Sequence, residues 1–361
     1  MRLHLLGLPH TVTTDAFSHC AFTGKVQKMS PMMRPLGYDV VHYGVAGAES
    51  GATVQVDLMT QAEQHALLGH DHSDPTQFYG NDANVGAAVF IEFNRRLRET
   101  LNATVQPGEI VLLPFGHGHG AAIDGHKGIN IESGIGYPQT FLPLRIYESL
   151  AWMHRDQGKC GREGNNYEWV IPNYFVAEDW PVVTTPDDYI LFFGRIGDTK
   201  GLPTVVELAK QFPDRQFIIC GQGDPSPYLT QPNIQYQPPL AGRARASLLG
   251  NASLVLMPSN FVEPFAGVAI EAMLCGTPVA AVTYGAFTET IQQGVNGWRC
   301  RTLEEWKRAV TLAPTLDRAA IGASARGKYS LEAVGPMYDT VFQQVHGLAT
   351  GRDWYTFPST F

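Results

Sequence analysis

Pro258-Ser259-Asn260-Phe261-Val262-Glu263-Pro264-Phe265-Ala266-Gly267-Val268-Ala269-Ile270-Glu271-Ala272-Met273-Leu274-Cys275-Gly276-Thr277-Pro278-Val279 reads as loop, helix, tight turn and the start of a strand. The apolar run Ser253 to Met257 before it, closed by Pro258, has the look of a buried parallel strand. The spacing predicts a helix from Phe265, with Pro264 at its entrance, ending at Cys275-Gly276 with Pro278 as a stop. The peptide N–H groups of Phe265, Ala266, Gly267 and Val268 are then helix-start donors, a natural seat for phosphate. Glu263 and Glu271 flank that seat, where carboxylates accept hydrogen bonds from sugar hydroxyls better than they touch phosphate. The arrangement suits a sugar carried on a nucleoside diphosphate.

Working outward, the second half repeats strand and helix. Tyr189 to Phe193 is an apolar strand followed by Gly194-Arg195, and five residues beyond Arg195 comes Lys200-Gly201. Two cations therefore stand past a strand end, just before a helix at Leu202 to Phe212. Gln216 to Cys220 is a buried strand, and Gly221-Gln222-Gly223 after it lets a base or ribose lie against the backbone. Ile234 to Leu240 is a strand and Pro-rich turn, and Gly242 to Asn251 a helix. Pro278 to Val282 is a strand running into Tyr284-Gly285-Ala286-Phe287-Thr288-Glu289.

Glu263 and Glu271, with Arg195 and Lys200, make the chain similar to retaining glycosyltransferases of the two-domain GT-B architecture, family 4 (glycosyl transferases group 1) in particular. The resemblance is specific over Tyr189 to Trp298 and architectural over Met1 to Asn173. It implies that Glu263 contacts the donor sugar, that Glu271 holds the ribose, and that Arg195 and Lys200 neutralise the diphosphate. It also implies that the turn ending at Leu240 lies against the nucleobase, and that Gly7 lines the opposite wall. Ala266 stands where the family usually has Gly, and Ala286 replaces a second one. No cofactor or metal is implied, the nucleotide sugar being a substrate.

The fold expected is α/β, two doubly wound Rossmann-like domains facing across a cleft. Residues 1–175 form an acceptor-side domain, to which a helix and aromatic tail at about 331–361 return. Residues 188–330 form the nucleotide-sugar domain, after a Pro-broken linker. In the first half, Arg2 to Leu8 is an edge-starting strand, Phe22 to Leu36 a helix and Asp39 to Tyr43 a strand, but no GxGxxG fingerprint follows the first strand. Gly44 to Asn84 reads as an irregular excursion, and Val85 to Leu101 as a helix. Glu109 to Leu113 is a strand leading into Pro114-Phe115-Gly116-His117-Gly118-His119-Gly120. Ligands bind beyond the carboxyl ends of such strands, so His117 and His119 are candidates to reach the donor sugar. Gly128 to Glu132 and Trp169 to Pro172 read as strands, and Leu144 to His154 as a helix.

Composition sets the remaining bounds. A chain of 361 residues with 44% hydrophobic and 17% charged residues is globular and long enough for two domains. A net charge of −8 argues against broad attachment to nucleic acid or anionic membrane. The five cysteines are scattered without CxxC spacing, as in a reducing, cytoplasmic setting, and no run reaches transmembrane length. The expected activity is sugar transfer, with retention, to an acceptor hydroxyl on a small molecule, a glycan or a hydroxymethylated DNA base of the bacteriophage kind. A GT-B phosphorylase or epimerase, or a silent sugar-nucleotide-binding module, would use the same cleft. Asp71-His72-Ser73-Asp74 and Asp187-Asp188 are the nearest approaches to an Asp-x-Asp metal element, and both fall in loops remote from the phosphate motifs.

Overall fold

The computed structural model describes residues 1–17, 20–71 and 84–351. His72-Ser73-Asp74 and the aromatic tail (Trp354, Tyr355, Phe357, Phe361) lie outside the described residues. The first half runs β1 (Arg2–Leu6), α1 (Ala21–Met33), β2 (Asp39–Val45), β3 (Val54–Met59), α2 (Gln61–Leu68) and α3 (Ala88–Thr104). It continues through β4 (Ile110–Leu113), β5 (Ile129–Ile135), β6 (Arg145–Tyr147), α4 (Leu150–Cys160) and β7 (Glu168–Val170). The second half runs β8 (Tyr189–Phe193), α5 (Leu202–Gln211), β9 (Gln216–Cys220), β10 (Ile234–Gln237), α6 (Gly242–Asn251) and β11 (Leu254–Met257). Then come α7 (Gly267–Leu274), β12 (Val279–Val282), α8 (Phe287–Thr290), β13 (Gly297–Cys300), α9 (Leu303–Leu312), α10 (Arg318–Tyr329) and α11 (Leu331–Ala349).

These strands form two parallel sheets, ordered β3-β2-β1-β4-β5-β6-β7 and β10-β9-β8-β11-β12-β13. Both sheets are covered by helices on two faces, which is why their strands read as largely apolar runs: Leu3 to Leu6 (with His4 among them), Ile110 to Leu113 and Leu254 to Leu256 are fully buried or nearly so. In each sheet the chain lays strands to one side and then crosses to the other, so the order reverses between β1 and β4 and between β8 and β11. A crevice opens at the carboxyl ends of the strands at each reversal, and ligands bind there in open α/β sheets. Four of the loops singled out in the sequence, after β1, β4, β8 and β11, sit at these two crevices.

Each sheet has its own core, one around Leu3, Phe93 and Leu112 and another around Leu191, Val255 and Phe287. α11 crosses back: Val334, Tyr338, Val341 and Phe342 are buried in the first core, against α1.

Several elements differ from the sequence reading. β1 lies in the centre of its sheet, between β2 and β4, not at an edge. The described part of the Gly44–Asn84 excursion contains β3, paired with β2, and α2, which starts with a capping box between Thr60 and Glu63. The helix expected over Leu144 to His154 is instead strand β6 followed by α4, which begins only after Ser149. β6 is held between β5 and β7, and Arg145 pairs with Glu168 on the neighbouring strand at 2.8 Å.

Candidate active site

The loop after β11 and the loop after β8 are built against each other. Gly201 adopts φ 79, and a Cβ there would stand 1.8 Å from the carbonyl oxygen of Pro258, so only glycine allows this approach. Asn260 donates its N–H to Thr199 O (2.9 Å) and its side-chain amide to Asp198 O (2.8 Å). Gly221 closes the neighbouring side: its φ is 153, and a Cβ would meet Gly194 O at 1.7 Å. Tyr236 donates its hydroxyl to Gly221 O (3.1 Å), and Leu240 packs half-buried at the edge of the second core.

Lys200 Nζ bonds Oε1 of Glu263 at 2.6 Å and stands 4.4 Å from the centre of the Phe261 ring. Ser259 Oγ donates to the same oxygen at 2.7 Å, and Tyr284 donates to Ser259 O at 2.6 Å. Glu263 is buried, yet its Oε2 takes no hydrogen bond among the described residues. Burial and the Glu263 charge raise the Tyr284 phenol above its ordinary value. Arg195 is exposed on the β8 loop.

Glu271 has the same design. Arg245 of α6 donates both Nε (2.9 Å) and Nη2 to Oε2, leaving Oε1 without a protein donor among the described residues. Arg245 also lies 4.8 Å above the Phe193 ring. Both glutamates are thus anchored through one oxygen, and the other has no protein donor among the described residues. The Arg245 partnership is not legible in the sequence, because nothing local connects α6 with a residue on α7.

The helix start differs from expectation by two residues. α7 begins at Gly267, and Ala266 precedes it in the left-handed region at φ 64. Phe265 therefore lies in the approach, its side chain buried, and Gly267 and Val268 supply the first helical N–H groups. The left-handed turn at Ala266 also gives a physical reason for the glycine that the family usually has there.

The first-domain wall is formed by the loops after β1 and β4. His119 does not face the cleft: it is fully buried and binds Gly7 O through Nε2 at 2.8 Å, tying the two loops together. Burial pushes its imidazole down to about 4. His117, two residues earlier on a tight 3-10 turn, is part-exposed and lies 5.4 Å from the Phe115 ring and 5.9 Å from that of Tyr137. Tyr137 is held by Glu132, a buried carboxylate that also accepts Phe141 N (3.0 Å) and Leu142 N (2.9 Å). Burial raises the Glu132 carboxyl above its ordinary value. In the sequence Glu132 reads only as a strand residue; its service to this loop is visible only in the fold.

The two halves touch at the loop after β11. Ser149 Oγ donates to Pro264 O (2.6 Å), and Glu289 accepts the N–H groups of Leu150 and Ala151 at the start of α4 (2.9 and 2.8 Å). Among the described residues no group of three or more His, Cys, Asp or Glu is placed to hold a metal ion. No described helix is long and apolar enough to cross a membrane.

Comparison with known proteins fits this geometry. Residues 181–316 match the family described as "Glycosyl transferases group 1". Over 125 residues the chain is 31% identical to the D-inositol 3-phosphate glycosyltransferase of Mycobacterium avium (strain 104), a match covering 31% of this chain and 29% of that relative. AviGT4, a glycosyltransferase involved in avilamycin A biosynthesis, superposes over 97% of this chain and 98% of its own, at 18% identity and a TM-score of 0.68. Anabaena HepE, solved with UDP and glucose, covers 95% of this chain and 99% of its own at 15% identity and a TM-score of 0.65. The chain has the GT-B fold, and its second half carries the group 1 signature.

Proposed function

We propose that this GT-B chain, with a glycosyl transferases group 1 second half, is a retaining glycosyltransferase that moves a sugar from a nucleoside-diphosphate donor to an acceptor hydroxyl. The observation that carries the reading is the convergence, at one reversal point of the second sheet, of Arg195, Lys200, Glu263 and the start of α7. Those groups match what a departing diphosphate and its sugar need: cations and N–H dipoles for the phosphates, and carboxylate oxygens for hydroxyls.

In this reading the diphosphate lies between the start of α7 and the β8 loop. Glu271, fixed by Arg245, accepts from the ribose hydroxyls through its unused oxygen. Glu263 does the same for the donor sugar. Gly221 and Leu240 border the base. His117 and Gly7 form the facing wall. Catalysis consists of holding donor and acceptor in line and stabilising negative charge on the leaving phosphate oxygen. Glu263 is engaged by Lys200 and Ser259 and serves as a sugar ligand, not a covalent nucleophile. The acceptor attacks on the face from which the diphosphate departs, and the diphosphate oxygen takes the hydroxyl proton, so configuration is retained. No cofactor is required.

A thermal-shift panel of nucleoside diphosphates and their sugar conjugates tests the donor half. UDP is the first candidate, because HepE holds it. A ligand that binds only the native state raises the melting temperature by mass action. A flat response to every nucleotide sugar removes the reading.

A further inference from the structure

α1 presents two lysines to the cleft side of the first domain, one turn apart, and only one of them is committed. Lys25 donates to Gly134 O at 2.7 Å and forms an ion pair with Glu148, both within its own domain. Lys28 makes no hydrogen bond or ion pair among the described residues. Its Nζ instead stands 4.6 Å from the centre of the Phe175 ring and 5.8 Å from that of Tyr174. Phe175 belongs to the segment joining the two halves. Its ring stacks near that of Phe265, 6.5 Å apart at 23°, and its tip lies 3.9 Å from where a Cβ on Gly267 would be. The ammonium is therefore held by aromatic faces close to the start of α7, although it comes from the opposite domain.

We propose that Lys28 is a donor-binding residue, its ammonium meeting a phosphate at the start of α7 from across the cleft. The proposal rests on the donor reading above and adds to it a cation that no motif contains. Arg195 and Lys200 reach the diphosphate from the second domain, so an anion that also touches Lys28 draws the two domains together. The surroundings explain why the site wants an anion. Glu271 attracts the amine and Asp179 does so more weakly, while Lys25 and Arg245 repel it. Glu271 is already paired with Arg245, so its charge is largely answered. Ring faces hold a cation in place but do not replace a hydrogen-bonding anion. Burial pushes the amine down to about 8, so it gains a proton when an anion arrives.

The test is calorimetry on the full chain with the diphosphates of uridine, guanosine, adenosine and thymidine, each beside its parent nucleoside. Lys28→Met keeps an unbranched stem against Phe175 and Tyr174 but removes the charge; Lys28→Arg restores it. The expected result is at least about tenfold weaker diphosphate binding in Lys28→Met, near-native binding in Lys28→Arg, and unchanged nucleoside binding. Two buffers of different ionisation enthalpy at pH 8 should report proton uptake by the wild type that is lost in Lys28→Met. Unchanged diphosphate affinity in Lys28→Met overturns the proposal, and so does an equal loss for nucleoside and diphosphate, which would mark a structural role. A wild type that binds none of the four diphosphates overturns the donor reading and this proposal together.

Discussion

Lys200 and Glu263, 63 residues apart in the chain, meet at 2.6 Å because β8 and β11 are neighbours in the second sheet. The pair fixes the loop after β8 onto the loop after β11. It also sets what each mutation in these two loops should do.

Arg195→Ala should cut turnover by about a hundred- to a thousandfold, the scale for one lost charge-stabilising donor, with little change in melting temperature, because Arg195 is exposed on its loop and contacts of exposed charges contribute little. Lys200→Ala should cost at least as much turnover and lower the melting temperature as well, since it leaves the buried Glu263 carboxylate without its cation. Steady-state kinetics with thermal denaturation separates the two. Full activity in either variant removes the diphosphate assignment.

The two glutamates should divide the donor between them. Glu271→Ala weakens the bare nucleoside diphosphate, and Arg245→Ala should reproduce that loss, because Arg245 holds the carboxylate through Nε at 2.9 Å. Glu263→Ala leaves the bare nucleotide nearly untouched and weakens only the sugar conjugate. Calorimetry with both ligands decides it. Equal losses for both ligands in all three variants would count against this division.

Ala266 sits at φ 64, where an L-residue is strained by roughly 1–2 kcal/mol and glycine is not. Glycine's extra chain entropy takes back about 0.5–1 kcal/mol. Ala266→Gly should therefore leave stability unchanged or raise it by up to about 1.5 kcal/mol. Ala269→Gly, three residues on and inside α7, should lower it by about 1 kcal/mol or more. Denaturant midpoints for the pair check the contrast in sign.

Burial pushes His42 and His119 both down to about 4. Between their ordinary value of about 6.5 and 4, the unfolded chain binds more protons than the folded one. Stability is then fully present above about pH 6.5 and falls as pH drops toward 4, by up to about 3 kcal/mol per histidine. Denaturation series at pH 7.5, 6 and 5 measure the slope. His119→Gln, which keeps a donor for Gly7 O, should make it shallower. Stability that stays flat or rises on acidification contradicts the assignment.

Turnover should survive excess EDTA, and proton NMR of fresh product should show the donor's anomeric configuration. Activity lost to EDTA and restored by magnesium or manganese would overturn metal independence. An inverted product would overturn the retaining mechanism.

Much of the site was legible because its signals are local. An apolar run closed by Pro or Gly marks a strand, and the residues after it mark the loop at its carboxyl end. Arg195, Lys200, Glu263, Glu271 and the approach to α7 are placed on their loops and elements that way, as candidates. Parallel pairing then needs no further information to bring strand ends together on one rim. What the sequence left undecided depends on partners far away in the chain. Arg145-Ile146-Tyr147 became a strand because β5 and β7 stand on either side and Glu168 takes the arginine, a pairing that outweighs helix periodicity. His117 and His119 are two residues apart in one Gly-rich turn; only the packing of that turn on Gly7 O buried one and left the other half-open. Arg245 on Glu271 and Lys28 above Phe175 are contacts between elements that the chain reaches at different times. No local rule encodes such contacts: their energy exists only once two independently formed surfaces have docked.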